Sequence, residues 1–334
     1  MWLPNRFHLS KAWWPRGNAL LLTIVVLVVA CEQSGELPSS SENETSQRPT
    51  VALIMKSLAN EFFVTMAEGA KAHQEKHSDQ YLLIVNGIKN EVDLAQQVAL
   101  IDQMVAARVD AIVISPADSK AVVPALARAR DAGISIINID NRLDADALND
   151  FKMDVPFVGP DNFRGAEMVG DFLGTHLPPA AAVAIIEGVP TAFNSRQRTA
   201  GFRQAMDNAG MSVVAQQSAQ WDQTTAVTVT SALLVKHPEL NAVLCANDNS
   251  ALGAVAAIEQ AGKRGQVQVV GYDNISAVQK LIRSGDMLAT VDQHADLLAV
   301  YGIERALEAL QTDEIPEDRA TPLDLVTATT LGGH

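Results

Sequence analysis

Cysteine is nearly absent from this chain: Cys31 and Cys245 are the two in 334 residues, so no disulfide framework can hold the fold. Basic residues are also few. Lys and Arg number 25 against 39 Asp and Glu, a formal charge of −14. Such a surface lacks the basic patches that phosphate backbones require, which excludes a nucleic-acid partner. Histidine occurs seven times, nowhere at i, i+4 spacing with a third ligand in view, so a metal site is not expected. No P-loop, no G-x-G-x-x-G after a strand and no G-x-S-x-G is present, so neither nucleotide-dependent nor serine-hydrolase chemistry is indicated. The longest apolar run, Leu20 to Ala30, falls short of the roughly 20 residues of a membrane span.

That run has a different meaning in its context. Arg6, Lys11 and Arg16 precede it without any acid, as in the n-region of an export signal, and the run itself fits an h-region. It ends in Val28-Val-Ala-Cys31, which resembles a bacterial lipobox, with Cys31 as the residue to be lipidated. The stretch that follows, EQSGELPSSSENETSQRPT from Glu32 to Thr50, is too polar to bury apolar surface and reads as a flexible tether. Cys245 sits in an apolar strand and reads as a small core residue.

Beyond the tether the chain is 48% hydrophobic overall and long enough for two domains. Short apolar strands alternate with helical segments. Val51–Met55, Tyr81–Val85, Asp110–Ser115 and Ile134–Ile139 are the first strands. Helices are predicted at Asn60–His77, Glu91–Val109 and Asp118–Ala132. In the second of these, Leu94, Val98, Ile101 and Val105 share one face at helical spacing. A second series has strands at Ala182–Ile186, Ser212–Ala215, Asn241–Ala246, Val267–Val270 and Met287–Val291. This is an α/β pattern of two doubly wound parallel sheets.

Ligands of such sheets bind beyond the carboxyl ends of the strands. Those ends carry Asn60, Phe62 and Phe63 after the first strand, Asp140, Asn141 and Arg142 after the fourth, then Arg198, Trp221, Asn247, Asp273 and Gln293. Asp accepts, Arg donates, and Asn and Gln do both, which suits a small neutral ligand rich in hydroxyls. Aromatic faces cover the C–H faces of a sugar ring. Any one Asn or Asp here is equally well placed to cap a helix, and Phe62, Phe63 and Trp221 taken singly read as core. Within Ala246-Asn-Asp-Asn-Ser250, Asn247 is expected to face the ligand, and Asp248 or Asn249 to cap the following helix.

The motifs LANEFF, DAIVISPADSKAVVPAL, INIDNR, SRQRTAGF, CANDNSALGA, VVGYDN and ATVDQ, in this order, resemble the type I periplasmic sugar-binding proteins of ABC transporters, closest to the ribose-binding group. The same fold occurs in the effector domains of LacI-type repressors. The resemblance implies two lobes joined by a three-strand hinge that close over a monosaccharide or polyol, with no enzymatic turnover and no cofactor. With the signal peptide over 1–30 and the tether over 31–49 read from the residues above, it implies an N-terminal lobe of 50–160 plus 294–322 and a C-terminal lobe of 161–293 plus 323–334. Carried over residue by residue, Asn60, Asp140, Arg198, Asn247 and Asp273 would bond the sugar. Phe62, Phe63 and Trp221 would wall it, and Gln293 would sit at a hinge crossing. The chain departs from ribose binders at Asp140-Asn141, where they have Asp-Arg: either Arg142 substitutes, or Asn141 reads a different hydroxyl pattern. Leu143–Val155 is longer than in ribose binders, and Glu61 stands where they often have Pro. The implied partner is an inner-membrane permease, or alternatively a sensor kinase or chemoreceptor. The implied state is a monomer in the periplasm, held at the membrane by its lipid alone. A repressor would need a DNA-binding domain where this chain has an export signal. A glycosidase would use Asp140 and Asp273 as a carboxylate pair, whereas the surrounding Asn and Arg suit static recognition.

Overall fold

The computed structural model describes residues 48–312 and 314–332. The signal, Cys31 and nearly all of the tether lie outside them. The elements in chain order begin with β1 (Thr50–Ser57), α1 (Glu61–Lys76), β2 (Leu82–Ile88), α2 (Leu94–Ala107), β3 (Ala111–Ile114), α3 (Val123–Asp131), β4 (Ser135–Ile139), α4 (Ala145–Asp150) and β5 (Phe157–Gly159). Then follow α5 (Asn162–Gly174), β6 (Ala182–Glu187), α6 (Phe193–Asn208), β7 (Ser212–Ser218), α7 (Gln223–Lys236), β8 (Leu240–Cys245), α8 (Asp248–Gln260), β9 (Gln268–Val270) and α9 (Ser276–Ser284). The chain ends with β10 (Ala289–Asp292), α10 (Ala295–Thr312), β11 (Arg319–Ala320), β12 (Asp324–Thr327) and α11 (Ala328–Leu331).

The strands form two six-stranded sheets, ordered β11-β5-β4-β3-β1-β2 and β12-β10-β9-β8-β6-β7. Each is the centre of one α/β lobe. The inner strands β1 and β3 are buried on both faces and apolar throughout their paired stretch, with Leu53 opposite Val113 on one side and Val85 on the other. This continuous apolar reading, without alternation, is what helices on both faces of a parallel sheet demand. The exception to parallel order is β12, which runs antiparallel to β10 at the edge of the second sheet.

The chain passes between the sheets three times, after β5, after β10 and after β11. The helices follow this exchange. α5 packs on α6 and β10, while α10 returns to lie on α1, β3 and β4. The close seat of α10 depends on Gly302, where a Cβ would stand 2.7 Å from both Ile139 and Val113.

Three differences from the predicted elements have local causes. The helix expected from Asp118 begins at Val123, because the Asp118 carboxylate accepts from the amides of Lys120 and Ala121 to form a turn first. The strands β5, β11 and β12 are not among the predicted ones: β5, Phe157-Val-Gly159, is flanked by Pro156 and Pro160, and β11 and β12, Arg319-Ala320 and Asp324-Leu-Val-Thr327, are not apolar runs. Finally, the long Leu143–Val155 segment contains α4, capped by Asp144. No helix among the described residues is long and apolar enough to cross a membrane.

Candidate functional site between the two lobes

The carboxyl ends of both sheets face one cleft. On the side of the first sheet, the next-to-last residue of β1 is Lys56, whose Nζ lies 3.1 Å from Asp140 Oδ2. Asp140 follows β4 with φ of 62°, a left-handed conformation that Asp tolerates better than most residues. Its Oδ2 also accepts from Ser115 Oγ at 2.5 Å. Asn60 caps α1 through its Oδ1 and donates from Nδ2 to Glu91 Oε1 at 2.8 Å. Burial raises the Glu91 carboxyl above its ordinary range, opposed by Lys56 and Asn60. Phe62 and Phe63, edge to face at 5.1 Å, complete this wall, with the Lys56 ammonium 5.6 Å from the Phe63 ring.

On the side of the second sheet, Arg198 is the centre. It projects from α6, buried, and all three guanidinium nitrogens are engaged. Nε donates to Asn162 Oδ1 at 2.7 Å, one terminal nitrogen to the Ala246 carbonyl at 2.9 Å, and the other to Gln293 Oε1 at 3.2 Å. Its plane lies 3.8 Å from the Tyr272 ring. Asp273 Oδ1 is 3.5 Å from the guanidinium and accepts from Gln293 Nε2 at 2.6 Å. Burial pushes the Asp273 carboxyl well up, and Arg198 opposes that. The backbone at Trp221 and Asp273 is held at φ of 67° and 129°. Strained positions of this kind concentrate at ligand clamps, where the surrounding structure holds them. Trp221 Nε1 is buried and has no hydrogen-bond partner.

The walls meet. Asn194 Nδ2, at the start of α6, reaches Asp140 Oδ1 at 3.5 Å. The walls close on a narrow space lined by polar and aromatic side chains of both lobes, Asp140 and Phe63 on one side and Arg198 and Trp221 on the other. A broader polar groove at the cleft mouth shares Asn60, Glu91 and Trp221 with it. The chemistry offered is hydrogen bonding by Asp, Asn, Gln, Lys and Arg between aromatic faces. Among the described residues no group of three or more His, Cys, Asp or Glu could hold a metal ion.

Of the residues expected at the site, Asn60, Phe62, Phe63, Asp140, Arg198, Trp221, Asn247, Asp273 and Gln293 line this space. Gln293 lies on the chain crossing between β10 and α10. Asn141 and Arg142 do not line it. Arg142 points away, bonded to Asp318 Oδ2 at 2.6 Å and stacked 4.2 Å from Phe157, because the backbone turn at Asp140 carries the chain out of the cleft. The Asn141 amide is occupied by the Pro116 carbonyl and by the Asn194 backbone N–H.

The roles in Asn247-Asp-Asn249 are also redistributed. Asn247 is itself the cap of α8, accepting from Ser250 N at 3.1 Å, and its Nδ2 donates to the Trp221 carbonyl. Asp248 caps nothing in its own helix. It is fully buried and accepts from Ile275 N and Thr290 Oγ1, fixing the loop that carries Asp273. Lys56, Glu91 and Asn194 line the space without having been singled out as site residues. Lys56 had a visible signal, a lone charge closing the apolar strand VALIM, whereas Glu91 stood among turn residues where acids are ordinary.

Comparisons with known proteins agree with this geometry. A family model described as periplasmic binding protein domain matches residues 51–314. A D-ribose/D-allose-binding protein of Pseudomonas aeruginosa is 51% identical over 312 residues, 92% of this chain and 97% of its own length. The ribose import binding protein of Bacillus subtilis is 30% identical over 313 residues, 93% of this chain and 98% of its own. Among solved structures, an ABC transporter solute-binding protein of Burkholderia multivorans aligns with a TM-score of 0.83 at 52% identity, covering 84% of this chain and all (100%) of its own. A solute-binding protein of Actinobacillus succinogenes with bound D-allose aligns with a TM-score of 0.80 at 36% identity, covering 86% of this chain and 100% of its own. These relatives are binding proteins rather than enzymes. With a family model spanning both lobes and a relative half identical along nearly its whole length, the chain belongs to the periplasmic binding protein family.

Proposed function

We propose that this chain is the binding component of a carbohydrate ABC importer, and that it captures one monosaccharide, with D-ribose and D-allose the first candidates, between its lobes. The observation that carries this reading is the placement of Asp140 on one wall and the Arg198–Asp273 pair on the other, lining one space between the lobes. A hydroxyl is donor and acceptor at once, so a carboxylate facing a guanidinium–carboxylate pair holds it from both sides. The named ligands of the relatives described above support the same ligand class.

Lobe closure is the mechanism. A ligand shifts an open–closed equilibrium only by its differential affinity for the two forms. Contacts from both walls supply that difference, and the closed form is what the permease recognises. The export signal and Cys31 make the chain a periplasmic lipoprotein, anchored by its lipid.

Titration of D-ribose, D-allose and myo-inositol, read by Trp221 emission and by calorimetry, tests the ligand class. Binding of at least one sugar with a rise in thermal midpoint is expected. A null across the panel, without thermal stabilisation, overturns the reading. Replacing Cys31 by Ser is expected to move the protein from the membrane to the soluble fraction, and retention at the membrane would remove the lipid anchor.

A further inference from the structure

Helix N-termini in this fold are capped with regularity. α1, α2, α4, α5, α7 and α8 each carry their own side-chain cap, from Asn60, Asp93, Asp144, Asp161, Asp222 and Asn247. α3, α6 and α9 do not. α3 has Pro124, which has no N–H, in its first turn. α6 and α9 begin after Ala192 and Ile275, whose side chains hold no acceptor. An uncapped first turn leaves amide donors without partners. α6 and α9 point their first turns at the opposite lobe, and there donors are met. The Ser276 amide of α9 donates to Glu61 Oε1 of α1 at 2.8 Å. The Phe193 and Asn194 amides of α6 donate to Ser119 Oγ at 3.0 Å and to Asn141 Oδ1 at 3.2 Å. Asn141 is prepared for this, since its Nδ2 is fixed on the Pro116 carbonyl at 2.9 Å.

We propose that Glu61 and the Ser119–Asn141 pair are caps supplied across the cleft, so that lobe closure completes the N-termini of α9 and α6 and these bonds hold the closed form independently of which sugar is bound. The proposal rests on the lobe-closure reading above. A carboxylate at a helix N-terminus gains from both the hydrogen bond and the helix dipole. Opening the cleft exposes the same amides to water, so the contribution belongs to the closed form alone. Neither Glu61, Ser119 nor Asn141 lines the ligand space. They are therefore positioning residues that set how long the lobes stay shut, while the cleft residues set which sugar is chosen.

The decisive variant is Ser276→Pro. Proline at the first helical position is well tolerated and has no N–H to lose from the helix ladder. The preceding Ile275 already has the extended backbone, φ −70° and ψ 153°, that a following proline requires. The full-length protein in detergent, titrated with D-ribose and D-allose, is expected to show the dissociation constant raised about three- to tenfold in both Ser276→Pro and Glu61→Ala. The change should come through faster dissociation, with the ribose-to-allose preference kept and the sugar-free thermal midpoint kept. Glu61→Gln, which retains an acceptor without the charge, should lie between. The double variant Glu61→Ala/Ser276→Pro should bind no more weakly than either single one, because one bond is removed twice. Unchanged affinity in Ser276→Pro overturns the proposal, as does a changed sugar preference or additive loss. Should Glu61→Ala prove unstable, Ser276→Pro decides alone. Failure of the wild type to bind either sugar would sink the proposed ligand class instead. The cap would then be read by hydrogen exchange at the Ser276 amide with myo-inositol, or whichever other monosaccharide or polyol raises the thermal midpoint, bound; exchange is expected to quicken in Glu61→Ala, and equal exchange overturns it.

Discussion

Lys56 and Asp140 form an ion pair on the floor of the cleft, 3.1 Å apart and each only 2% exposed. Removing one partner of such a pair strands a charge in a poorly solvated place, which costs about 3–5 kcal/mol. Replacing both by neutral groups of similar shape costs far less. Lys56→Met is therefore expected to lower the thermal midpoint and to weaken sugar binding at least tenfold. Lys56→Met/Asp140→Asn is expected to recover the midpoint without recovering binding. Thermal denaturation and calorimetric titration of the three proteins check this, and a double variant that binds as the wild type does would remove Asp140 from the ligand set.

Arg198 tests the opposite wall. Its guanidinium joins Asn162, the Ala246 carbonyl, Gln293 and Asp273, and lies over Tyr272. An ammonium cannot reproduce a planar fork with donors in several directions. Arg198→Lys is expected to weaken sugar binding about a hundredfold, equivalent to about 2.7 kcal/mol, though the charge is conserved. Asp273→Ala is expected to abolish most binding as well. Calorimetry reads both, and near-normal affinity in both would make this wall structural.

Much of this architecture was legible in the residues. Buried parallel strands announced themselves as unbroken apolar runs, and strand ends announced ligand groups, because both follow from short-range rules. The limits fell where the decisive fact is a backbone turn. One residue with positive φ, Asp140, sends Asn141 into the opposing lobe and Arg142 out of the cleft, and no pattern in Ile139-Asp-Asn-Arg142 reveals that. Similarly, Asn247 and Asp248 are chemically interchangeable as caps on paper. Only the position of β10, which brings Thr290 to Asp248, gives the buried carboxylate a long-range task and leaves the cap to Asn247.

Arg142→Ala follows directly from that turn. Its partner Asp318 is half exposed and the pair lies outside the ligand space, so the ion pair contributes at most about 1 kcal/mol to stability. Sugar affinity is expected to stay within about twofold of the wild type, measured by the same titration. A larger loss would return Arg142 to the site.

Asp248 gives the fold a pH dependence of defined sign. Burial pushes its carboxyl up to about 7, even against hydrogen bonds from Thr290 and Ile275. Between roughly pH 4 and pH 7 the folded chain thus holds a proton that the unfolded chain has released, so raising the pH through that window removes stability. Below the window the contribution is fully present, and above it the loss is complete. Asp248→Asn keeps an acceptor for the Ile275 amide and cannot titrate. Its thermal midpoint is expected to fall less between pH 5 and about pH 8 than that of the wild type. Equal slopes in the two proteins would show that Asp248 is ionised throughout.

Gly188 fixes where the indole of Trp221 lies. A Cβ at residue 188 would stand 2.2 Å from Trp221 Cε2 and Cζ2, far inside any contact distance. The ring is packed in the apolar core of the second lobe and its Nε1 has no hydrogen-bond partner. Gly188→Ala therefore forces the indole off its seat at the cleft wall, where it also lies 5.7 Å from both Lys56 Nζ and the Arg198 guanidinium carbon. Sugar affinity is expected to fall at least tenfold, on the order of 1.4 kcal/mol. Because Trp221 is the one tryptophan among the described residues, its emission should report the displacement directly, with the sugar-free spectrum altered. Unchanged emission together with unchanged affinity would mean that residue 188 yields rather than the ring, and that the indole position is not what sets the cleft wall.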